Sequence, residues 1–251
     1  MTRKPDVPAD VKIAAFQKKR EGHYDLMRPG PGTPWENRGE IGLVSAFFKT
    51  IGRALSSPML LIDHIRRPET GSDVNTFVIG CGMVLSLAVL TQSAVTFMQA
   101  RSQPAQYTLD AQSFWEGAAV LALAMPAIWW LLMLIARKTY TLLVTGDNKQ
   151  KAPPVLFQNV MGYTCAPIVL AIVPFYLPAL IGVIWMAVLW SAAGRRRLYI
   201  KPAATVIATI GSIIAIGVVG AGIIYGLYGL MYAYGFLGGA IQVIHAPTKT
   251  A

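Results

Sequence analysis

The residues of this chain whose types could do chemistry are few and scattered. Its three histidines are His23, His64 and His245, and its two cysteines are Cys81 and Cys165. Metal sites and Cys–His pairs need such residues at short spacings, and no HExxH sequence, P-loop or GxSxG elbow occurs. We therefore expect no enzymatic activity, no cofactor and no metal, with the two cysteines acting as small apolar residues.

Four long stretches lack Asp, Glu, Lys, Arg and His altogether: residues 74–100, 117–136, 152–194 and 202–244. A helix of about 20 apolar residues crosses the roughly 30 Å hydrocarbon core of a bilayer. The chain is 54% hydrophobic and 14% charged, whereas soluble domains are roughly a quarter charged. The pattern predicts an all-α polytopic membrane protein with spans near 75–98, 115–136, 157–176, 178–194 and 203–224.

The basic residues predict an orientation for these five spans. Residues 1–73 hold 12 of the 22 Lys and Arg residues, and 20 of the 22 fall in gaps that five spans place on one side. Cytoplasmic loops carry the basic excess, so the N-terminus is predicted inside and the C-terminus outside. Pro174 and Pro178 mark the turn between the third and fourth spans. Residues 202–244 could also hold two spans that meet near 220–222, so six spans is the alternative.

The uncharged stretches also limit the possible functions. Intramembrane ionisable residues mark ion pathways and proton relays, and these stretches contain none. We therefore expect no proton- or sodium-coupled transport through acidic side chains. The net charge of +10 comes largely from residues beside the spans, where they meet anionic lipid headgroups, and we expect no nucleic-acid partner.

Two segments precede the first span. Residues 1–40 are predicted to be a polar, partly flexible cytoplasmic tail, and residues 41–73 a membrane-interfacial amphipathic segment. The second segment carries an apolar helical stripe beside basic positions, namely Phe47, Phe48 and Ile51 beside Lys49 and Arg53. Such a helix lies in the headgroup layer with its apolar face down. The alternative is that it packs on the cytoplasmic ends of the spans.

The C-terminal residues 225–251 are rich in Gly and Tyr and are predicted to lie at the outer face. Gly222 and Gly226 have the GxxxG spacing that lets helices approach closely, and Tyr225, Tyr228 and Tyr232 run beside them. We interpret these five residues as a candidate docking face for another subunit. Packing within this chain is the alternative.

Three short pieces of sequence together point to one family. The first is the triplet Pro34, Trp35 and Glu36, followed by a helix and by a Ser–Pro pair at 57–58. The second is Gly162, Tyr163 and, four residues later, Pro167. The third is the hairpin of the third and fourth spans, closed by the arginines at 195–197. Over about residues 34–224 these pieces resemble the Yip family of Ypt/Rab-interacting membrane proteins, particularly its bacterial members.

The resemblance implies five spans, a cytoplasmic N-terminus and a five-helix transmembrane domain over residues 74–224. It also singles out Gly162, Tyr163 and Pro167 as a packing site, where glycine allows close helix approach and proline bends the span. Eukaryotic members bind prenylated Rab GTPases in the Golgi and endoplasmic reticulum and carry a DLYGP motif. That motif is absent here. The expected location is therefore the bacterial cytoplasmic (inner) membrane, with the Golgi or endoplasmic reticulum membrane as the alternative.

These observations predict a non-enzymatic Yip-type membrane protein that organises membrane or recruits partner proteins through its N-terminal region. Its expected partners are the lipid bilayer and either other membrane proteins or a second copy of this chain. The alternatives are a permease or channel subunit and an accessory subunit of a larger membrane complex. An unpaired polar ring between the spans would favour the permease.

Overall fold

The computed structural model describes residues 31–66, 72–102, 107–109, 111–145, 154–198, 200–233 and 241–243. Most of the predicted tail and most of the chain after residue 233 lie outside these ranges. The described helices are α1 (Arg38–Ile41), α2 (Leu43–Ser56), α3 (Pro58–His64), α4 (Ser72–Arg101), α5 (Ala111–Thr145), α6 (Pro154–Thr164), α7 (Tyr176–Arg196) and α8 (Pro202–Ala233). A 3-10 helix, Ala166–Ile172, follows α6, and β1 (Tyr107–Leu109) and β2 (Ile241–Val243) are short strands.

Four of these helices, α4, α5, α7 and α8, are each long and apolar enough to cross a membrane. A shorter apolar segment, Leu156–Ile172, comprises most of α6 and the 3-10 helix. The helical membrane-type architecture predicted from the sequence is therefore confirmed. The two strands were not predicted. They pair antiparallel, with Thr108 opposite Gln242, and so bring the α4–α5 connection and the C-terminal segment together.

The third predicted span is not one continuous α-helix. Its α-helical part ends at Thr164, and the 3-10 helix that follows has Pro167 at its second position. Proline lacks an N–H and clashes with the carbonyl four residues earlier, so Pro167 fits the end of the α-helical part, and the bend expected there stays a prediction. The turn that follows contains Pro174, and α7 begins at Tyr176, which places Pro178 inside its first turn.

All four long helices extend beyond their predicted spans, and two of these extensions change an interpretation. The predicted second span ends at residue 136, directly before Arg137 and Lys138. Helix α5 continues to Thr145 and includes both of these residues. The predicted alternative of a turn at 220–222 is wrong, because α8 runs unbroken through these positions. Its 32 residues extend about 48 Å, more than the hydrocarbon thickness.

Helices α4 and α5 cross closely at Gly82. A Cβ atom on Gly82 of α4 would lie only 2.7 Å from the Cα atom of Pro126 in α5. Only a glycine at position 82 allows this approach, which is how small residues bring membrane helices together. The crossing fixes the relative position of α4 and α5, the two helices that face Gly162 of α6.

Candidate functional site

The triplet Pro34, Trp35 and Glu36 forms a folded turn, although the sequence placed it in a partly flexible tail. The backbone N–H of Trp35 donates to Thr50 Oγ1 at 3.0 Å, and its indole N–H donates to the carbonyl of Asp73 at 2.8 Å. Glu36 Oε2 accepts the backbone N–H groups of Thr33 at 2.6 Å and of Arg66 at 3.2 Å. The turn is therefore tied to α2, to the start of α4 and to the residues after α3.

Four aromatic rings continue from this turn into the bundle. The ring centroid of Trp35 lies 6.0 Å from that of Phe47 in α2 and 5.5 Å from that of Phe77 in α4. The ring of Phe77 in turn lies 5.4 Å from that of Tyr163 in α6. We call these four residues the aromatic junction. Trp35 and Tyr163 belong to two separate pieces of the Yip-like pattern, and here they contact the same side chain.

Gly162 lies beside the aromatic junction and faces protein rather than lipid. A Cβ atom at this position would collide with Val74 Cγ2 and would lie 3.1 Å from Arg137 Nη2. Tyr163 is fully buried, and its hydroxyl has no hydrogen-bond partner among the described residues. The close approach expected at Gly162 is therefore present, whereas a hydrogen bond from Tyr163 to a polar partner is not found within the described part of the chain.

Arg137 is a buried site residue that the sequence pattern did not predict. Its side chain is only 4% exposed, and Nη1 donates to Asn75 Oδ1 of α4 at 2.9 Å. Within the described ranges, Nε and Nη2 have no hydrogen-bond partner and no carboxylate lies in salt-bridge range of the guanidinium. Asn159 Oδ1, one turn before Gly162 on the same face of α6, is also buried and unpartnered. Burying an unpaired charge costs free energy, and ionisable residues between membrane helices often mark functional sites. Arg137 and Asn159 are therefore a second candidate site.

Residues 31–66, which we call the juxtamembrane platform, are fixed to the ends of two long helices. Arg38 forms a salt bridge of 2.7 Å with Asp73 of α4. Arg196 of α7 donates two hydrogen bonds, of 2.6 and 2.7 Å, to the Asp63 carboxylate. The indole N–H of Trp185 in α7 donates to the Ala54 carbonyl at 3.0 Å. These contacts hold the platform against the bundle from two sides.

Helix α2 has two faces with apolar residues. One face packs on the bundle, as one predicted interpretation has it, and the other is exposed, as expected of a helix in the headgroup layer. Its buried face consists of Ala46, Thr50, Ile51 and Ala54, which pack on the bundle. A second apolar face, Leu43, Val44 and Phe48, is 59% to 68% exposed.

The two basic residues predicted on α2 have different environments. Lys49 is exposed, whereas Arg53 is half-buried and its Nη1 lies 3.2 Å from His64 Nδ1. Only Lys49 therefore matches the predicted basic face that points away from the bundle.

The C-terminal candidate docking face is open as far as it is described. Nothing lies within 4 Å of a Cβ atom built on Gly222 or Gly226, and Tyr225 is 76% exposed. The side chains of Tyr228 and Tyr232 lie outside the described part. The alternative, that Gly222 and Gly226 pack closely within this chain, is therefore not supported.

The two cysteines, Cys81 and Cys165, are free and buried, and Cys165 Sγ contacts the carbonyl of Gly162 at 3.0 Å. No group of three metal-ligating side chains occurs among the described residues. No protein-family model, curated protein or solved structure matches this chain. The apolar helices indicate a helical membrane-embedded protein, and the family resemblance rests on the quoted sequence pieces alone.

Proposed function

We propose that this chain is a non-enzymatic Yip-type protein of the bacterial cytoplasmic membrane, with the Golgi or endoplasmic reticulum membrane as the alternative location. It recruits partner proteins through its N-terminal region and thereby organises the surrounding membrane. The observation that carries this proposal is the contact of Trp35 and Tyr163 with Phe77, which joins the pre-membrane motif to the Gly–Tyr motif. A partner bound at the platform would be mechanically linked to the spans through this aromatic junction.

The proposed topology has five spans, with the N-terminus in the cytoplasm. It is supported by the basic residues and by the pairing of β1 with β2, because the α4–α5 connection and the C-terminal segment then share one side. Single introduced cysteines near Ser102 and Pro178 should label from outside, and those near Asn148 and Leu198 from inside. Both native cysteines are buried, which keeps background labelling low. Cytoplasmic labelling at Thr250 would contradict the five-span topology.

Recruitment by the platform can be tested with a photocrosslinking side chain at Glu40, which is exposed on α1. The matched control is the same group at Tyr176, 87% exposed at the far end of the bundle. We expect one protein to be captured from Glu40 but not from Tyr176, and its capture to be lost in Trp35→Ala, which removes the ring that ties the turn to Phe77. Equal capture from both positions, or capture unaffected by Trp35→Ala, would contradict the proposal.

A permease or channel subunit is the second candidate, and a specific observation favours it. Polar atoms without hydrogen-bond partners are buried between the described helices, at Arg137, Asn159, Tyr163 and Thr209. The Arg137 guanidinium is the cation in this group and would favour an anion. Liposomes that contain the purified chain should show anion flux that Arg137→Gln abolishes if this candidate is correct, and no pH-driven uptake if our expectation about proton coupling holds.

An accessory subunit of a larger complex is the third candidate, and the open face at Gly222 and Gly226 favours it. A bulky residue there should release the chain from such a complex without unfolding it. Gly222→Trp with unchanged co-purification of its partners would remove this candidate.

A further inference from the structure

A groove of about 520 Å³ lies between the platform helix α2 and the first long helix α4. Leu43, Val44 and Phe48 line it from α2, and Thr76, Ile79 and Met83 line it from α4. Four of the lining side chains are 59% to 68% exposed, so the groove is open to its surroundings: Leu43, Val44, Phe48 and Met83. Because α4 is one of the candidate membrane spans, we expect an opening on its apolar surface to meet lipid.

The groove is polar at one end and apolar at the other. Arg38 also lines it, with its guanidinium 5.3 Å from the ring centroid of Trp35 and ion-paired to Asp73 at the start of α4. From Thr76 to Met83 the α4 wall extends roughly 10 Å into the apolar part of the helix. The N-terminal end of a long helix adds partial positive charge at the Arg38 end. The shape therefore matches an amphiphile with an anionic head and a long apolar tail.

The surroundings narrow the choice of amphiphile. The apolar walls exclude a water-soluble anion as the occupant of the whole groove, since no polar group of such an anion would be solvated near Met83. The leaflet beside the platform is the one that meets most of the chain's basic residues, and anionic phospholipids collect at such residues. We propose that the groove binds one acyl chain of an anionic phospholipid, with the lipid phosphate at Arg38. This site does not depend on the recruiting function proposed above.

Asp73 competes with the lipid for Arg38 in this arrangement. One guanidinium nitrogen, Nη2, is 2.7 Å from Asp73 Oδ1, and Nη1 donates to the Trp35 carbonyl at 3.2 Å. A guanidinium has five N–H donors, and the Arg38 side chain is 30% exposed, so donors remain for a phosphate oxygen. Because of this competition, removing Arg38 and removing Asp73 should change lipid binding in opposite directions.

The experiment measures which lipids stay bound when the protein is released from vesicles of equal phosphatidylglycerol and phosphatidylcholine into a native mass spectrometer. For the unaltered chain we expect phosphatidylglycerol to be retained in excess. Arg38→Gln should lower the retained ratio of phosphatidylglycerol to phosphatidylcholine about tenfold, the value of one charge-assisted contact. Asp73→Asn should raise it, since Arg38 is freed while the Asp73 carbonyl still accepts the Trp35 indole N–H.

A purely structural role for the ion pair predicts a different result. Both variants break the same contact, so lipid retention would then change in the same direction in both. Changes in the same direction, or equal retention of the two lipids by the unaltered chain, would overturn the proposal.

A second pair of variants tests the acyl-chain part of the groove. Met83→Trp fills the groove, whereas Leu87→Trp adds the same bulk one turn further along α4, at a residue that is 52% exposed and does not line it. We expect lipid retention to be lost in Met83→Trp and kept in Leu87→Trp. Equal retention in the two variants would overturn the proposal. A protein dimer that Met83→Trp abolishes would assign the groove to a second copy of this chain instead.

Discussion

Helices α6 and α8 are both uncharged, yet their environments are opposite. Every residue from Leu156 to Ile168 is buried except Gln158, although this segment is the shortest of the apolar ones. In α8, by contrast, only 17% of the most apolar stretch is buried, against 33% to 39% in the other three long helices. Hydropathy ranks the two helices in the wrong order for burial, because it measures transfer from water and cannot distinguish lipid from protein.

The difference shows what determines position in this bundle. Lipid tails are as apolar as leucine side chains, so hydrophobicity does not draw one membrane helix to another, and small or polar residues decide which helices pack. The glycine of α6 at 162 is in contact with two neighbouring helices, whereas Gly222 and Gly226 of α8 have open space. A glycine therefore marks a contact only where another helix supplies the opposing surface.

The largest expected effect comes from replacing the buried glycine of α6 with leucine, and the control is the same replacement at an exposed glycine of α8. Gly162→Leu should destabilise the protein by about 3 kcal/mol, because the new side chain collides with Val74 and approaches the Arg137 guanidinium. Gly222→Leu places the same side chain in open space and should leave the thermal unfolding midpoint in detergent unchanged. Equal midpoints for Gly162→Leu and the unaltered protein would mean that α6 tolerates bulk as α8 does, and the contrast between them would fail.

Phe47 and Phe48 extend the comparison to the platform. Phe47→Asp places a charge against Trp35 and Phe77 and should cost about 2 kcal/mol, seen as faster proteolysis between residues 35 and 66 in membranes. The spans should still insert. Phe48 is 63% exposed, so Phe48→Asp loosens the platform only if this face lies in the headgroup layer. Protection unchanged in both variants would refute the interfacial interpretation and the aromatic junction together.

Arg137 gives a prediction of opposite sign. Replacing a buried, incompletely paired charge with an apolar side chain of similar length is neutral or stabilising, so Arg137→Met should raise the free energy of unfolding by about 1 kcal/mol. The loss of the bond to Asn75 offsets part of a larger gain. The adjacent exposed Lys138, changed to Met, should have no effect. A large destabilisation by Arg137→Met would show that the guanidinium has a partner beyond the described residues.

The sequence predicts the long helices well and their neighbours poorly. Four spans and helix α2 follow from uncharged length and from the apolar stripe through Phe47 and Ile51, which are local properties. Apart from the close approach at Gly162, which the family resemblance singles out, the contacts of α6 could not be predicted, because a helix that is apolar all round carries no periodic signal for the buried face. Arg137 was missed for a related reason. A charge predicts the end of a span, but a helix continues through it when a neighbour such as Asn75 accepts the guanidinium N–H.

Tyr163→Phe should have a small effect, although it changes a residue of the family pattern. A hydrogen bond from a buried hydroxyl is worth about 1 kcal/mol, but the Tyr163 hydroxyl has no partner among the described residues. We therefore expect a change below about 0.5 kcal/mol in the free energy of unfolding, because the ring contact with Phe77 is kept. Tyr163→Leu, which removes that contact, is the control and should cost more. A loss of 1 kcal/mol or more in Tyr163→Phe would reveal a partner such as a residue outside the described ranges.

The smallest expected effect is a pH dependence of the platform that α6 and α8 do not share, since neither helix contains Asp, Glu or His. Burial raises the pKa of Glu36 above its ordinary value of 4.5, and the backbone N–H groups of Thr33 and Arg66 oppose that rise. Between 4.5 and the raised pKa, the folded platform binds more protons than the unfolded one. Platform stability should therefore fall as the pH rises through this window and stay constant above it.

Hydrogen exchange of the α2 amides measures this directly. Comparing the unaltered protein with Glu36→Gln at each pH, from roughly pH 4 to pH 7, removes the intrinsic pH dependence of exchange. The Gln amide oxygen can still accept the Thr33 and Arg66 N–H groups but does not titrate. Protection in the unaltered protein should decline relative to Glu36→Gln as the pH rises, while protection in α8 stays parallel in the two proteins. Parallel curves in α2 as well would mean that the Glu36 carboxylate is already solvated in the folded turn.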